Sequence, residues 1–160
     1  MAKSTTPIPP GFHTLTPHLT VKGGAAKYVD FLQRAFGATE ARTSPGPGGK
    51  LMHAQVKIGD SILMFADDFP EFGYPSIAEG NLPLVLSLYV PDADAAFDRA
   101  VKAGCTVTLP LDNQFWGDRY GQVKDPFGFT WAIATHAEDL TPAEIQERQA
   151  KFMSKGGGAA

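Results

Sequence analysis

The chain has 160 residues, 43% of them apolar, a formal charge of −3 and a single cysteine. That length suits one compact domain or two small fused modules, and buries enough surface that folding requires neither a metal nor a disulfide. Mixed charge argues against a nucleic-acid surface, no run approaches the ~18 apolar residues of a membrane span, and the N-terminal MAKSTTPIPPG lacks a secretory pattern, so a cytoplasmic protein is expected.

Residues 1–11, with three prolines and few apolar side chains, read as a flexible arm. Between Thr14 and Val21, Leu15, Leu19 and Val21 share one parity while Thr16, His18 and Thr20 share the other, which predicts a two-faced strand. Ala25, Tyr28, Val29, Leu32, Ala35 and Phe36 then recur at helical spacing, and Gly37 supplies the stop. SPGPGG at 44–49 is expected to connect two hairpin strands. The next strand alternates Met52, Ala54, Val56 and Ile58 against His53, Gln55 and Lys57; after a Gly59-Asp60-Ser61 turn, residues 62–66 read as a buried strand. Residues 67–83 are long for a connection and carry Phe69, Phe72 and Tyr74, so they read as an aromatic flap or a plain linker.

Pro91-Asp92 opens a second helix with an apolar stripe of Ala93, Ala96, Phe97, Ala100 and Val101, an acidic start at Asp92 or Asp94, and Gly104 as its end. Strands are predicted over 105–111, 115–124 and 129–135. Thr141-Pro142-Ala143-Glu144 is a capping box with proline at the first helical position, and Leu140 and Ile145 stand at staple spacing. Cys105 sits among Val107 and Leu109 and reads as a small core residue.

The strand–helix–strands order occurs twice. Val21 to Gly59 spans 38 positions and so does Val90 to Gly128; the helix stops lie 16 and 14 positions beyond those valines. A repeat this long predicts two similar modules that bury apolar faces together, with a cleft where function should be sought. The expected organisation is an arm over 1–11, a first module over 12–67, a connection over 68–83, a second module over 84–136, a C-terminal helix over 137–154 and a tail over 155–160.

Side chains able to recognise a ligand fall in three places. His18 and Thr20 lie on the polar parity of the first strand and can face a cleft. His53 and Gln55 share the mixed face of the strand after the hairpin connection. QFWGDRYG at 114–121 supplies Phe115 and Trp116 for stacking and Arg119 as a forked, permanently charged donor. Asp118 either orients Arg119 for a ligand or pairs with it inside a structural turn. His136 beside its acidic neighbours, Trp131, and the Asp125-Pro126-Phe127-Gly128 turn read as structural; His13 has no assigned role.

On HLTVKGGAAKYVDFLQRAFGATEAR, HAQVKIGDSILMFAD and above all QFWGDRYGQVKDPFGFTWAIATHAEDLTPAEIQ, residues 14–150 resemble the vicinal-oxygen-chelate superfamily, nearest its PhnB-like, glyoxalase/bleomycin-resistance-like branch. The resemblance implies an α+β fold: two βαβββ modules forming curved mixed sheets, with a C-terminal helix, usually assembled as a homodimer. In metal-dependent members it also implies ligands near Thr16, Met64, Val85 and Ala132, none of which suits zinc, nickel or iron; a two-residue slip would bring in His18. The frequent His-Ala-Glu is here His53-Ala54-Gln55, and Phe129 follows the DPFG turn where histidine is common. No cofactor is therefore expected, and Met64 and Ala132 would make an apolar floor. The expectation is a metal-independent small-molecule binder using His18, Thr20, His53, Gln55, Met64, Phe115, Trp116 and Arg119, with neither nucleic acid nor membrane as partner. The alternative is a metal-dependent lyase or extradiol dioxygenase with shifted ligands such as His18 and His53, holding a divalent ion.

Overall fold

Two four-stranded mixed sheets, each with a helix in the crossover between its parallel strands, make up the computed structural model, which describes residues 6–73 and 82–154. The chain divides into units at Met1–Gly80 and Asn81–Ala160. The first contains β1 (His18–Val21), α1 (Ala25–Phe36), β2 (Thr39–Pro45), β3 (Leu51–Ile58) and β4 (Ser61–Asp67), with sheet order β1-β4-β3-β2. The second contains β5 (Val85–Tyr89), α2 (Ala93–Lys102), β6 (Thr106–Asn113), β7 (Asp118–Lys124), β8 (Thr130–His136) and a terminal helix α3 (Pro142–Ser154), with order β5-β8-β7-β6. In both, the first strand runs parallel to the last and the other pairs are antiparallel. The duplicated order and the closing helix agree with the sequence expectation.

In the first unit the core takes Ala25, Tyr28, Leu32 and Ala35 from the stripe read in the sequence and adds Phe31, while Val29 and Phe36 are half-buried. Tyr28, Phe31, Leu32 and Ala35 are buried against Leu19, Val21, Ala54, Val56 and Phe65 of the sheet. Tyr28 meets Phe65 edge-on, with ring centroids 5.1 Å apart, and stacks on Phe31 at 6.0 Å. Each such side chain contributes about 1.5–3 kcal/mol by leaving water. Gly37 ends α1 in the left-handed conformation, φ 67°, where a side chain would be strained, and Ala38 returns a hydrogen bond to the Leu32 carbonyl.

The repeat extends to the way each helix begins. The Asp67 carboxylate at the end of β4 accepts from the Gly24 and Ala25 N–H groups at 2.9 Å, and from Leu51 N–H at 2.7 Å. At the end of β8, the Thr135 hydroxyl accepts from Ala93 N–H and donates to the Val90 carbonyl, both at 2.8 Å. Each cap lies 42 positions beyond the residue it serves, Ala25 or Ala93. In both units the last strand thus satisfies orphan donors at the start of its own unit's helix. Asp92 adds a local cap to Ala95 N–H at 2.9 Å.

Two predicted strands are shorter than the pattern suggested. The first begins at His18, not Thr14: Pro17 has no N–H for a ladder, the Thr16 hydroxyl folds back onto the His13 carbonyl, and Leu15 stands 87% exposed. The strand placed at 115–124 begins at Asp118, because Gln114–Gly117 form a turn closed by Gly117 N–H to Gln114 O at 3.0 Å. Gly117 is required there: φ is 98°, and a Cβ would lie 2.6 Å from the Glu138 carbonyl. The capping box of α3 forms as read, with Thr141 N–H donating to Glu144 Oε2 at 2.8 Å. Within 67–83, Phe69 is buried under the Lys50 ammonium, itself held by Asp68, so the first part of this stretch belongs to the body of the first unit. Tyr74 lies outside the described residues.

Candidate functional site

Strand alternation gives each sheet a helix-covered face and a face turned away from its helix. On the first unit's second face the register builds a row across four strands: His18 on β1 pairs with Met64 on β4, Met64 with Gln55 on β3, and Gln55 with Arg42 on β2. Thr20 lies two residues along from His18, and His53, paired with Ser44, two residues along from Gln55. The His18 and His53 rings are 6.0 Å apart between centroids. All five residues expected from this half (His18, Thr20, His53, Gln55 and Met64) therefore share one face of one sheet. Met64, His53, Gln55 and Thr20 are half-buried, while His18 is exposed at the start of its strand. Desolvation by the surrounding protein, and then the neighbouring His53 ring, hold His18 below the usual imidazole range. At neutral pH it is an uncharged ring offering one donor and one acceptor.

Arg42 and Ser44 were missed in the sequence. They sit in TEARTSP, an exposed edge strand without alternating burial, and only the pairing with β3 places them beside Gln55 and His53.

The second unit separates the remaining candidates. Trp116 donates its indole N–H to Asp118 Oδ2 at 3.0 Å and meets Tyr120 edge-on at 5.4 Å; Phe115 lies between Trp116 and Phe152 of α3, at 4.9 and 5.5 Å. Arg119 is elsewhere. As the next residue of a strand it projects to the other face, where it forks onto Asp94 at 2.7 and 3.1 Å. Both sequence readings of an Asp118–Arg119 partnership are corrected on this point.

Asp118 is instead a buried hub, 4% exposed, accepting from Tyr89 Oη at 2.8 Å and Trp116 Nε1, with His136 Nδ1 at 2.9 Å. Burial pushes this carboxyl up, but the hydrogen bonds from His136, Tyr89 and Trp116 outweigh it and hold the pKa below the usual value. The Asp118 hydrogen bond, then that of Asp139 at 3.0 Å, raise the His136 pKa. The structural reading of His136 agrees with this placement. Asp125 is the second such hub, accepting from Phe127 and Phe129 N–H and from the buried Trp131 indole. Burial pushes the Cys105 thiol up to about 12, leaving it no thiolate for chemistry at neutral pH.

A divalent metal can be weighed against these residues. The register places His18 beside Met64 and Ser87 beside Ala132, correcting the Thr16 and Val85 positions by two residues. In neither unit does such a pair, imidazole with thioether or hydroxyl with methyl, make a zinc, nickel or iron site. Among the described residues no group of three or more His, Cys, Asp or Glu side chains is arranged to hold an ion. The described residues do not fit a metal centre. Nor is any described helix long and apolar enough to cross a membrane.

Comparison with known proteins now adds a family. Residues 16–133 match the model of the Glyoxalase/Bleomycin resistance protein/Dioxygenase superfamily. An uncharacterised Mycobacterium bovis protein, Mb0911c, is 43% identical over 148 residues, covering 90% of this chain and 95% of that one. The crystal structure of PA1353 from Pseudomonas aeruginosa matches with a TM-score of 0.62 and 27% identity, covering 78% of this chain and 98% of that one. A Bacillus cereus PhnB protein, described as a putative 3-demethylubiquinone-9 3-methyltransferase, shares the fold at TM-score 0.52 and 15% identity over 77% of this chain and 99% of that one. The duplicated βαβββ units and this match over most of the sequence agree: the chain belongs to the Glyoxalase/Bleomycin resistance protein/Dioxygenase superfamily.

Proposed function

We propose that this protein binds a small organic molecule without a metal, on the face of the first sheet turned away from α1. The observation that carries the reading is the convergence of His18, Thr20, His53 and Gln55 around Met64. A polarisable apolar centre bordered by a few oriented hydrogen-bonding groups is the usual chemistry of a small-molecule site. Two imidazoles, a hydroxyl and an amide can orient a ligand's polar atoms, and the imidazoles can move protons. Phe115 and Trp116 are a second aromatic surface available for stacking on a ligand, whereas Arg119, on the opposite face of β7 and held by Asp94, is not part of it.

The protein acts as a cytoplasmic homodimer in this proposal, supported by apolar surface left exposed on β5, where Val85 is 42% and Tyr89 68% accessible. Light scattering on the purified protein checks this, and a monomer at micromolar concentration refutes it.

The test of the main reading combines elemental analysis with nitrogen-15 NMR of the imidazoles. Protein purified without a metal-affinity step is expected to carry far less than one equivalent of zinc, nickel, manganese or iron. The His18 and His53 signals should shift on titration with small aromatic probes such as benzyl alcohol, benzoate and phenyl phosphate. A stoichiometric metal, or imidazole signals that respond to none of the probes, would overturn it.

A further inference from the structure

The face that carries His18 and His53 is biased in charge, although the chain as a whole is negative. Besides the row His18–Met64–Gln55–Arg42, it holds Thr20 paired with Ala66 and His53 paired with Ser44, all four on the same side of that row. Each of its polar side chains can donate a hydrogen bond. Two carboxylates come near, and each is engaged: Lys57 holds Glu40 at 3.1 Å and Lys50 holds Asp68 at 3.2 Å.

Arg42 is different. Arg34, Arg119 and Arg148 each fork onto or pair with a carboxylate, whereas Arg42 has no hydrogen bond or ion pair with any described residue. It stands at the β2 end of the row, with its strand neighbour Ala41 apolar and its cross-strand neighbour Gln55 neutral. No carboxylate among the described residues pairs with it. With strands about 4.8 Å apart, it lies roughly 14 Å across the sheet from His18, with Met64 between them. The arrangement is an apolar centre with neutral hydrogen-bonding groups at one end and an uncompensated guanidinium at the other.

We infer that the ligand of this face is an organic oxyanion: a carboxylate or phosphate group held by Arg42, joined to an apolar or aromatic body that lies over Met64 toward the two imidazoles. This rests on the small-molecule reading above and adds the chemical class. A planar guanidinium pairs with two oxygens of a carboxylate or phosphate at once, which a neutral isostere cannot reproduce. The ligand thereby supplies the charge that Arg34, Arg119 and Arg148 find within the protein.

The experiment compares benzoate, phenyl phosphate and uncharged benzyl alcohol by imidazole chemical shift and calorimetry, on wild type, Arg42→Gln and the control Arg34→Gln. Wild type and Arg34→Gln should bind at least one anion about tenfold or more tightly than the alcohol, and added salt should erode that preference. Arg42→Gln should abolish the preference while leaving the alcohol's affinity unchanged. Benzoate against phenyl phosphate decides which oxyanion is taken. Equal binding of anions and alcohol, or a preference that survives Arg42→Gln, overturns this inference and leaves the small-molecule reading standing. Silence of the His18 and His53 signals toward all three probes sinks both.

Discussion

Replacing Asp67 with alanine should be among the most damaging single changes in the first unit. The side chain is 3% exposed and makes no ion pair with a lysine or arginine among the described residues; its work is to accept from the Gly24, Ala25 and Leu51 N–H groups. These three bonds tie the start of α1 and the start of β3 to the end of β4. Removing the carboxylate leaves one buried and two part-buried donors without an acceptor. At about 1–3 kcal/mol for each orphaned donor, less where water can enter, the loss should total roughly 3–5 kcal/mol. That is a large part of the ~5–15 kcal/mol that stabilises a typical domain, and corresponds to a fall in Tm of about 8–16 °C for a chain of this size. Asp67→Asn keeps one acceptor but turns an NH₂ toward a donor, so it should recover less than half of the loss. Both tryptophans lie in the second unit, so urea unfolding should be followed by far-UV circular dichroism, which also registers α1 and the first sheet. A loss below about 1 kcal/mol for Asp67→Ala would show that water or other groups serve those donors, and would refute the hub reasoning.

Stability should also depend on pH through the second unit's hub. His136 is raised in the folded state, so its contribution is complete below the ordinary imidazole pKa and is lost as pH rises through the folded value. Asp118 is lowered, so its contribution is present above the ordinary carboxylate pKa and lost as pH falls through the folded value. The two together give a plateau between about pH 4 and 6.5; thermal melts across pH 3–9 should show it, and His136→Gln should flatten the alkaline side. An unchanged alkaline slope in that variant would rule out His136 as its source. Gly121→Ala should cost about 2–3 kcal/mol, since a Cβ there would lie 2.8 Å from both the Leu111 Cα and the Phe97 ring; a denaturation midpoint equal to wild type would show that β6 and α2 can move apart freely.

Much of the architecture was legible in the linear sequence because it rests on local periodicity. The α1 stripe, the alternation of 52–58, the Thr141–Glu144 capping box and the 38-position offset that occurs in both units all reflect spacings of a few residues or their recurrence. For the same reason His18, Thr20, His53 and Gln55 could be assigned to the faces they share, since parity along a strand is a property of the strand alone. Where local chemistry interrupted the pattern the reading failed, as at Pro17, which ends the ladder that the parity of Leu15 seemed to extend.

What the tertiary structure alone decided is which residues lie opposite one another. Register between strands far apart in sequence turns His18, Met64, Gln55 and Arg42 into one row, and a one-residue slip would send any strand's contribution to the other face. Nothing local in TEARTSP distinguishes Arg42 from any other exposed arginine. The same holds for Asp67, whose three donors lie 16, 42 and 43 positions away, and for Arg119, which passes by adjacent Asp118 to meet Asp94. Composition and spacing determine which elements form; the partners of a polar side chain depend on which donors and acceptors the folded chain brings within 3 Å, and that distance is set by packing.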